Sequence, residues 1–353
     1  NYQVFEFDGG VKKSITELFD LNSIASQPID PSWKSAVDDF EAAQNGDGGH
    51  ASNDPSIAGT EGDDVVLAGP SDNAIDAGAG NDLVSAGRGN DYVSGGAGDD
   101  TIQAGSGDDW LEGGAGSNVL DGGSGRDVVS FWTPEATEGV IVNLSDAAIT
   151  VAGTVVSAGE ALNADGGVDA LVSVEGIQGT DNADVIVGAA DDNTIYGFGG
   201  ADSIEGGAGG DQIFGGGGVD TLSGGAGNGQ LWGQDGTEAL FGGDGDDTLG
   251  YGGTLQGGAG NDVLLVADAN SIVDGGSGVD QVSFDGSNSD GVAINLSDAA
   301  AEIGGNLVGP HEVRFGDGAI ASLVSVEQVQ GTSFWGAGDT ILGSSGDDTV
   351  WGL

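Results

Sequence analysis

Aspartate recurs at nine-residue spacing through much of this chain. Glycine precedes it and an aliphatic residue follows two positions later. Residues 95–112 read GGAGDDTIQ AGSGDDWLE, two blocks of one grammar: small, Gly, any, Gly, any, Asp, any, aliphatic, any. A carboxylate can trade protons or hold a cation. Where carboxylates stand at every turn, no single pair is marked out as an acid and a base. The repetition suits the second task.

The blocks form arrays, and internal repeats organise the chain. Eight blocks run without a gap from Gly59 to Ser130, with an aliphatic residue at every eighth position (Val66, Ile75, Val84, Val93, Ile102, Leu111, Leu120, Val129). Asp64, Asp82, Asp91, Asp100, Asp109 and Asp127 hold the sixth position, with Asn73 and Asn118 in the other two blocks. A second array of eleven blocks spans 179–283, with a six-residue slip at YGGTLQ (251–256). Its sixth positions carry Asp184, Asp202, Asp211, Asp220, Asp247, Asp262 and Asp280, then Asn193, Gly229, Glu238 and Ser271. A third array starts at 331 and holds Asp339 and Asp348 before the sequence stops partway through a block.

The segments between arrays repeat too. VSF, GV, NLSDAA, LVSVE and QGT recur in one order in 131–178 and 284–330. Alternation at Val140, Val142 and Leu144 reads as short strands. The organisation expected is therefore an N-terminal segment with linker (1–58), array 1 (59–130), spacer 1 (131–178), array 2 (179–283), spacer 2 (284–330) and the start of array 3 (331–353). In the first of these, Ser14 and Glu17 suit a capping box, and Trp33, Val37, Phe40 and Gln44 lie at helical spacing.

Nine residues are too few for a helix pair and too rich in glycine for a helix. Six residues of turn and three of strand fit, with the aliphatic eighth residue pointing inward. Two blocks then close one coil, and coils stack through parallel pairing. The expected fold is all-β: a flattened right-handed parallel β-roll with a thin aliphatic core, in tandem modules joined by short-strand spacers, plus the small helical or mixed N-terminal segment. Alternate blocks share an edge, so Asp64, Asp82 and Asp100 stack on one side and Asp91, Asp109 and Asp127 on the other.

Neighbouring coils lie roughly 4.8 Å apart. Carboxylates at that range repel strongly in a partly dry turn. A hard cation resolves this. Glycine turns bare their carbonyls, aspartate adds carboxylate oxygen, and a flexible cage of six to eight oxygens at roughly 2.3–2.6 Å describes calcium. Zinc and copper want His or Cys, and the chain has two histidines, His50 and His311, and no cysteine. The metal ligands expected are the fifteen sixth-position aspartates named above. Weak or empty sites are expected at 211/229, and around 251–256, where the slip should disturb stacking near Asp247.

GGxGxDxUx resembles the RTX calcium-binding nonapeptide, and the spacer pattern GVxVNLSDAA…LVSVE is similar to segments between arrays in large secreted RTX proteins. The resemblance implies several structural calcium ions, type I export through a C-terminal signal, and a chain that folds outside the cell.

Composition bounds the partners. Against 58 acidic residues stand 6 basic ones, a net charge of −52. Such a surface repels nucleic acid and anionic lipid, and no apolar run reaches a membrane span. No cysteine means no disulfide and no thiol nucleophile. Asn1 and the broken last block suggest a piece of something longer. NGDGGH (45–50) lacks the twelfth-position Glu of an EF-hand and reads as linker. Trp110, Trp232 and Trp351 fall at outward positions. G-x-S-x-G, H-E-x-x-H and a phosphate loop are all absent. The reading is a non-enzymatic, extracellular calcium-binding structural protein of the cell surface (S-layer, matrix or adhesin), with self-association or glycan attachment as partners. The alternative is the calcium-dependent folding and export region of a secreted enzyme whose catalytic part lies elsewhere.

Overall fold

In the computed structural model the described residues are 56–134, 136–234, 237–266, 271–284, 292–295, 300–303, 306–315, 320–330, 340–342 and 349–351. The segment 1–55, His50, Asp339 and Asp348 lie outside them. The described residues form strands and turns and contain no helix, hence none long and apolar enough to cross a membrane.

The chain divides into two units: 1–131 with 159–176, and 132–158 with 177–353. Each is a parallel β-solenoid. In unit 1 one sheet stacks Ser56–Thr60, Ala74–Gly78, Tyr92–Ala97, Trp110–Ala115 and Val128–Ser130. The opposite sheet stacks Val65–Leu67, Leu83–Arg88, Thr101–Ser106, Val119–Ser124 and Val168–Val172. Unit 2 repeats the plan from Thr194–Gly199 and Val185–Val187 onward. Pairing joins equivalent residues two blocks apart, as in Val93 with Leu111 and Ile204 with Leu222. The eighth-position residues make up the core; Val84, Leu111, Leu222 and Leu249 are each 0 % exposed.

Strand and turn divide the block differently from the expected three and six. Inside the two arrays six residues is the commonest strand length, as in Tyr92–Ala97 and Thr101–Ser106, leaving a three-residue turn between them. The glycines after the aliphatic residue remain in the ladder, so Gly96 pairs with Gly114. Gly96 and Gly98 have φ of 99° and 141°, angles that glycine adopts without a Cβ clash. The chain thus bends while still pairing.

The spacers are woven into the solenoids. Spacer 1 begins with Ile141–Asn143, parallel to Val185–Val187 in unit 2. Its later strand Val168–Val172 is parallel to Val119–Ser124 in unit 1, with Glu160–Leu162 antiparallel beside it. Spacer 2 follows suit: Val292–Asn295 pairs with Thr340–Leu342, and Ile320–Val324 with Ile272–Ser277. The Asn of NLSDAA has a structural task in spacer 1. Asn143 is fully buried, and its Nδ2 donates to the carbonyls of Ala147, Val156 and Ser157.

A thin core makes each aliphatic residue matter. Leu222→Ala is expected to destabilise the calcium-loaded protein by about 2–5 kcal/mol, the usual range for a buried leucine. A urea midpoint shift checks this, with Ser223→Ala as the half-buried control that should move it little.

Candidate metal centre

The sixth-position aspartates are buried, at 0–2 % exposure from Asp64 to Asp280. A hydrogen-bond ladder holds them. The main-chain N–H of Asp82 donates to Oδ1 of Asp100 at 2.8 Å, and that of Asp91 to Asp109 at 2.7 Å. The same bond joins 64 to 82, 109 to 127, 184 to 202, 202 to 220 and 262 to 280. Every same-edge pair expected from the sequence is therefore in register.

The other carboxylate oxygen is the notable one. Oδ2 is buried without a hydrogen-bond partner in Asp82, Asp91, Asp100, Asp109, Asp127, Asp202, Asp211, Asp247, Asp262 and Asp280. Burying a charged oxygen with nothing to meet it is costly. The carboxyls respond: desolvation pushes Asp91, Asp100 and Asp202 up to about 7 and Asp82, Asp127, Asp211 and Asp247 up to about 6, against a main-chain hydrogen bond that lowers them. Neighbouring aspartates add repulsion, Asp109 on Asp91 and Asp82 on Asp100.

Main-chain oxygen lies close by. A Cβ built on Gly95 would stand 2.5 Å from Asp100 Oδ2 and 2.7 Å from the carbonyl oxygen of Gly113, one coil on. Gly206 faces Asp211 and the Gly224 carbonyl likewise. In four blocks Ala68, Ala77, Ala86 and Ala104 occupy this first position, fully buried, and the larger Val266 takes it only in the block whose sixth residue is Ser271. The first position is small to leave space beside the carboxylate, while the second and fourth are glycine for their backbone angles.

Among the described residues no three His, Cys, Asp or Glu side chains converge on one point. A cage here must draw on main-chain oxygen, which suits a hard cation of high coordination number. The orphaned Oδ2 atoms and adjoining carbonyls fit calcium; when bound, the ion would supply the positive charge the ladder lacks.

Several features escape sequence reasoning. The fifth position builds a second, exposed ladder of opposite sense. The N–H of Asn81 donates to Asp63 Oδ1 at 2.8 Å, Asp99 to Asn81 at 2.9 Å, and Asn90 to Asp72 at 2.9 Å. Its signal was the DD and ND doublet. In array 2 it persists on one edge, through Asp192, Asn228, Asp246 and Asn261.

The ladder ends are closed by protein groups. Thr60 donates its N–H and hydroxyl to Asp64 Oδ2, at 2.6 and 2.8 Å. Thr180 donates its N–H to Asp184 Oδ2 at 2.7 Å and its hydroxyl to Oδ1 at 3.0 Å, and Oδ1 also accepts from the N–H of Val140 at 2.8 Å. At the far ends the Glu of LVSVE takes the last N–H: Glu175 from Asp127 at 2.9 Å, and Glu327 from Asp280 at 3.0 Å.

The slip does not disturb Asp247, contrary to expectation. Its N–H donates to Asp262 Oδ1 at 2.9 Å, a step of 15 residues rather than 18, and it accepts from Gly229 at 2.7 Å. The three missing residues come out of the opposite edge, which carries Glu238 and Ser271. At 229 no side chain is present to continue the ladder from Asp211. Trp110 is half-buried, with its indole N–H 3.4 Å from Glu112. Trp232 is half-buried beside Tyr251. His311 is exposed.

Stacked parallel coils with buried, half-satisfied aspartates at their turns define a cation-binding β-solenoid. The family model described as RTX calcium-binding nonapeptide repeat (4 copies) matches residues 58–93, 94–129, 178–213, 214–249, 250–288 and 336–353, more than half of the chain. The chain belongs to this calcium-binding repeat family. Comparison with curated proteins gives no significant match.

Two expected outcomes follow from the raised carboxyls. Without calcium, a folded-state value raised from 3.8 means that stability is fully present below pH about 4 and is lost as pH rises through about 6–7. Calcium bound to the ionised form reverses the sign, so the loaded protein loses stability as pH falls. Thermal melts from pH 4 to 8, in chelator and in calcium, should slope in opposite directions. Asp202→Asn should likewise raise the melting temperature in chelator and lower it in calcium; a shift of one sign in both conditions would contradict the cation role.

Proposed function

We propose that this protein is a non-enzymatic, extracellular structural component of a cell surface or matrix, an S-layer or adhesin type of subunit, whose solenoids fold and assemble on binding calcium. RTX repeat proteins are typically secreted, which agrees with that setting. The observation that carries the reading is the build of the spacers. Each starts with a strand for the array that follows and later gives one to the array before it. Such a spacer lets roll be added to roll, which suits a protein whose work is extent rather than chemistry. Folding is driven by mass action, since the ion binds the folded ladder and not the open chain. Loading also cancels part of the −52 charge, lowering the repulsion between copies. Association has a candidate surface in unit 2, where Tyr196 and Phe214 stack at 4.8 Å on the outer face of one sheet, beside Trp232.

Sedimentation velocity across a calcium titration, from chelator to the millimolar range, tests this. The expected result is compaction followed by large assemblies that chelator disperses. A compact monomer at all calcium levels would favour the export region of a secreted enzyme. Unchanged sedimentation would remove the calcium-folding reading.

A further inference from the structure

We propose that the loop 163–169 of spacer 1 forms a calcium site at the end of the first solenoid, with Asp169, Asn163 and the carbonyl oxygen of Gly116 as ligands. It rests on the calcium reading above. It adds a site that lies outside the nonapeptides.

Asp169 is 1 % exposed and stands where a further repeat would place its aspartate. The N–H of Asn118 donates to its Oδ1 at 2.7 Å, as the N–H of Asp100 donates to Asn118 Oδ1 at 3.0 Å. Asn118 brings no charge to this edge, and the spacer restores one.

Asn163 is the second, independent observation. It is 7 % exposed. Its Nδ2 lies 2.8 Å from the carbonyl oxygen of Gly116 and 3.3 Å from Asp169 Oδ2. Its Oδ1 is buried with no partner. The amide nitrogen thus serves two oxygens while the amide oxygen, which would accept, meets nothing. A half-turn of the amide brings Oδ1 among those same two oxygens. Three oxygens so gathered repel one another unless a cation joins them, and carboxylate, amide and main-chain oxygens are calcium's ligands.

The surroundings are built to hold the loop there. Asp165 accepts from the N–H of Gly116 at 2.9 Å and of Gly167 at 3.1 Å, tying the loop to the last coil. A side chain at Gly167 would collide with the Gly116 carbonyl and stand 2.9 Å from Asn163 Nδ2. The chain also contains its own contrast. Aligned on LVSVE, spacer 2 has Phe315 and Ala321 in place of Asn163 and Asp169. The edge it closes ends in Ser271, whose carbonyl accepts from Ser322. A spacer carries the two ligands where Asp100 and Asn118 end its edge and lacks them where Glu238 and Ser271 do.

Calcium alone is the probe, with bound ions counted by native mass spectrometry and affinity followed by titration of the full chain. Asp169→Asn is expected to bind one ion fewer, the rest of the isotherm unchanged. Asn163→Asp is expected to keep the count and tighten one ion about tenfold, since ligand charge tunes affinity. A full count in Asp169→Asn, or an Asn163→Asp protein that is less stable in calcium with no ion tightened, would show that the Asn163 amide simply plugs the loop. If Asp169→Asn fails to fold in calcium, Asn163→Asp decides alone. Wild-type protein that binds no calcium would sink the calcium reading itself; a full wild-type count with neither variant changed would sink this site only.

Discussion

The structure hangs on one contact, the main-chain N–H of one aspartate donating to the carboxylate of the aspartate a coil away. That bond repeats at 2.7–3.0 Å from Asp64 to Asp280. It fixes the turn, and in doing so it fixes charge beside charge at the spacing of the sheet. Pairing and repulsion are therefore one geometry: the sheets cannot form without stacking the carboxylates. The aliphatic row inside is only one residue deep per strand, so it has little to set against that repulsion. An ion that enters at Oδ2 answers the charge without touching the hydrogen bond at Oδ1. Fold and ligand are inseparable here in a way that a site carried by an independent core is not.

Period and core were legible in the sequence because both are local. An aliphatic residue at Ile102 or Leu249 points inward wherever the coil sits, and each is fully buried. The division of the block into strand and turn was not legible. Glycine reads as turn by composition, yet whether Gly96 pairs depends on Gly114, eighteen residues away. The outer ladder was missed for a related reason: a variable Asp or Asn looks unconstrained until its partner coil is in place. Asp184 shows the converse. Its type and spacing match every other ladder aspartate, but Thr180 and Val140 occupy its oxygens. Nothing in the nonapeptide grammar distinguishes an aspartate that begins a ladder from one inside it.

The recurring spacer words become physical once the ends are seen. The Thr of QGT gives a hydroxyl where the first aspartate has no earlier coil to meet it. The Glu of LVSVE takes the last N–H, its longer side chain reaching from the link between two spacer strands. An open ladder end would bury an unsatisfied donor or acceptor. These residues meet the first carboxylate and the last N–H of a ladder, although Asp64 Oδ1 stays buried without a partner, and the spacer sequence repeats because each array has the same two ends to meet.

The shortened coil has a consequence for how such a protein can change. Three residues are gone between Leu240 and Leu255, yet the strands on both faces keep partner opposite partner, Leu240 with Leu255 and Leu249 with Leu264. The loss is absorbed on one rim, and the other rim keeps the rungs that flank it, Gly229 to Asp247 and Asp247 to Asp262. The two rims are thus free to diverge in length and content. A gene encoding this solenoid can lose codons on one rim and still yield a translated chain whose facing rungs on the other stay paired. Heritable variation in block length then becomes raw material for the stretch of rim that carries Glu238 and Ser271, rather than a break in the reading of the fold.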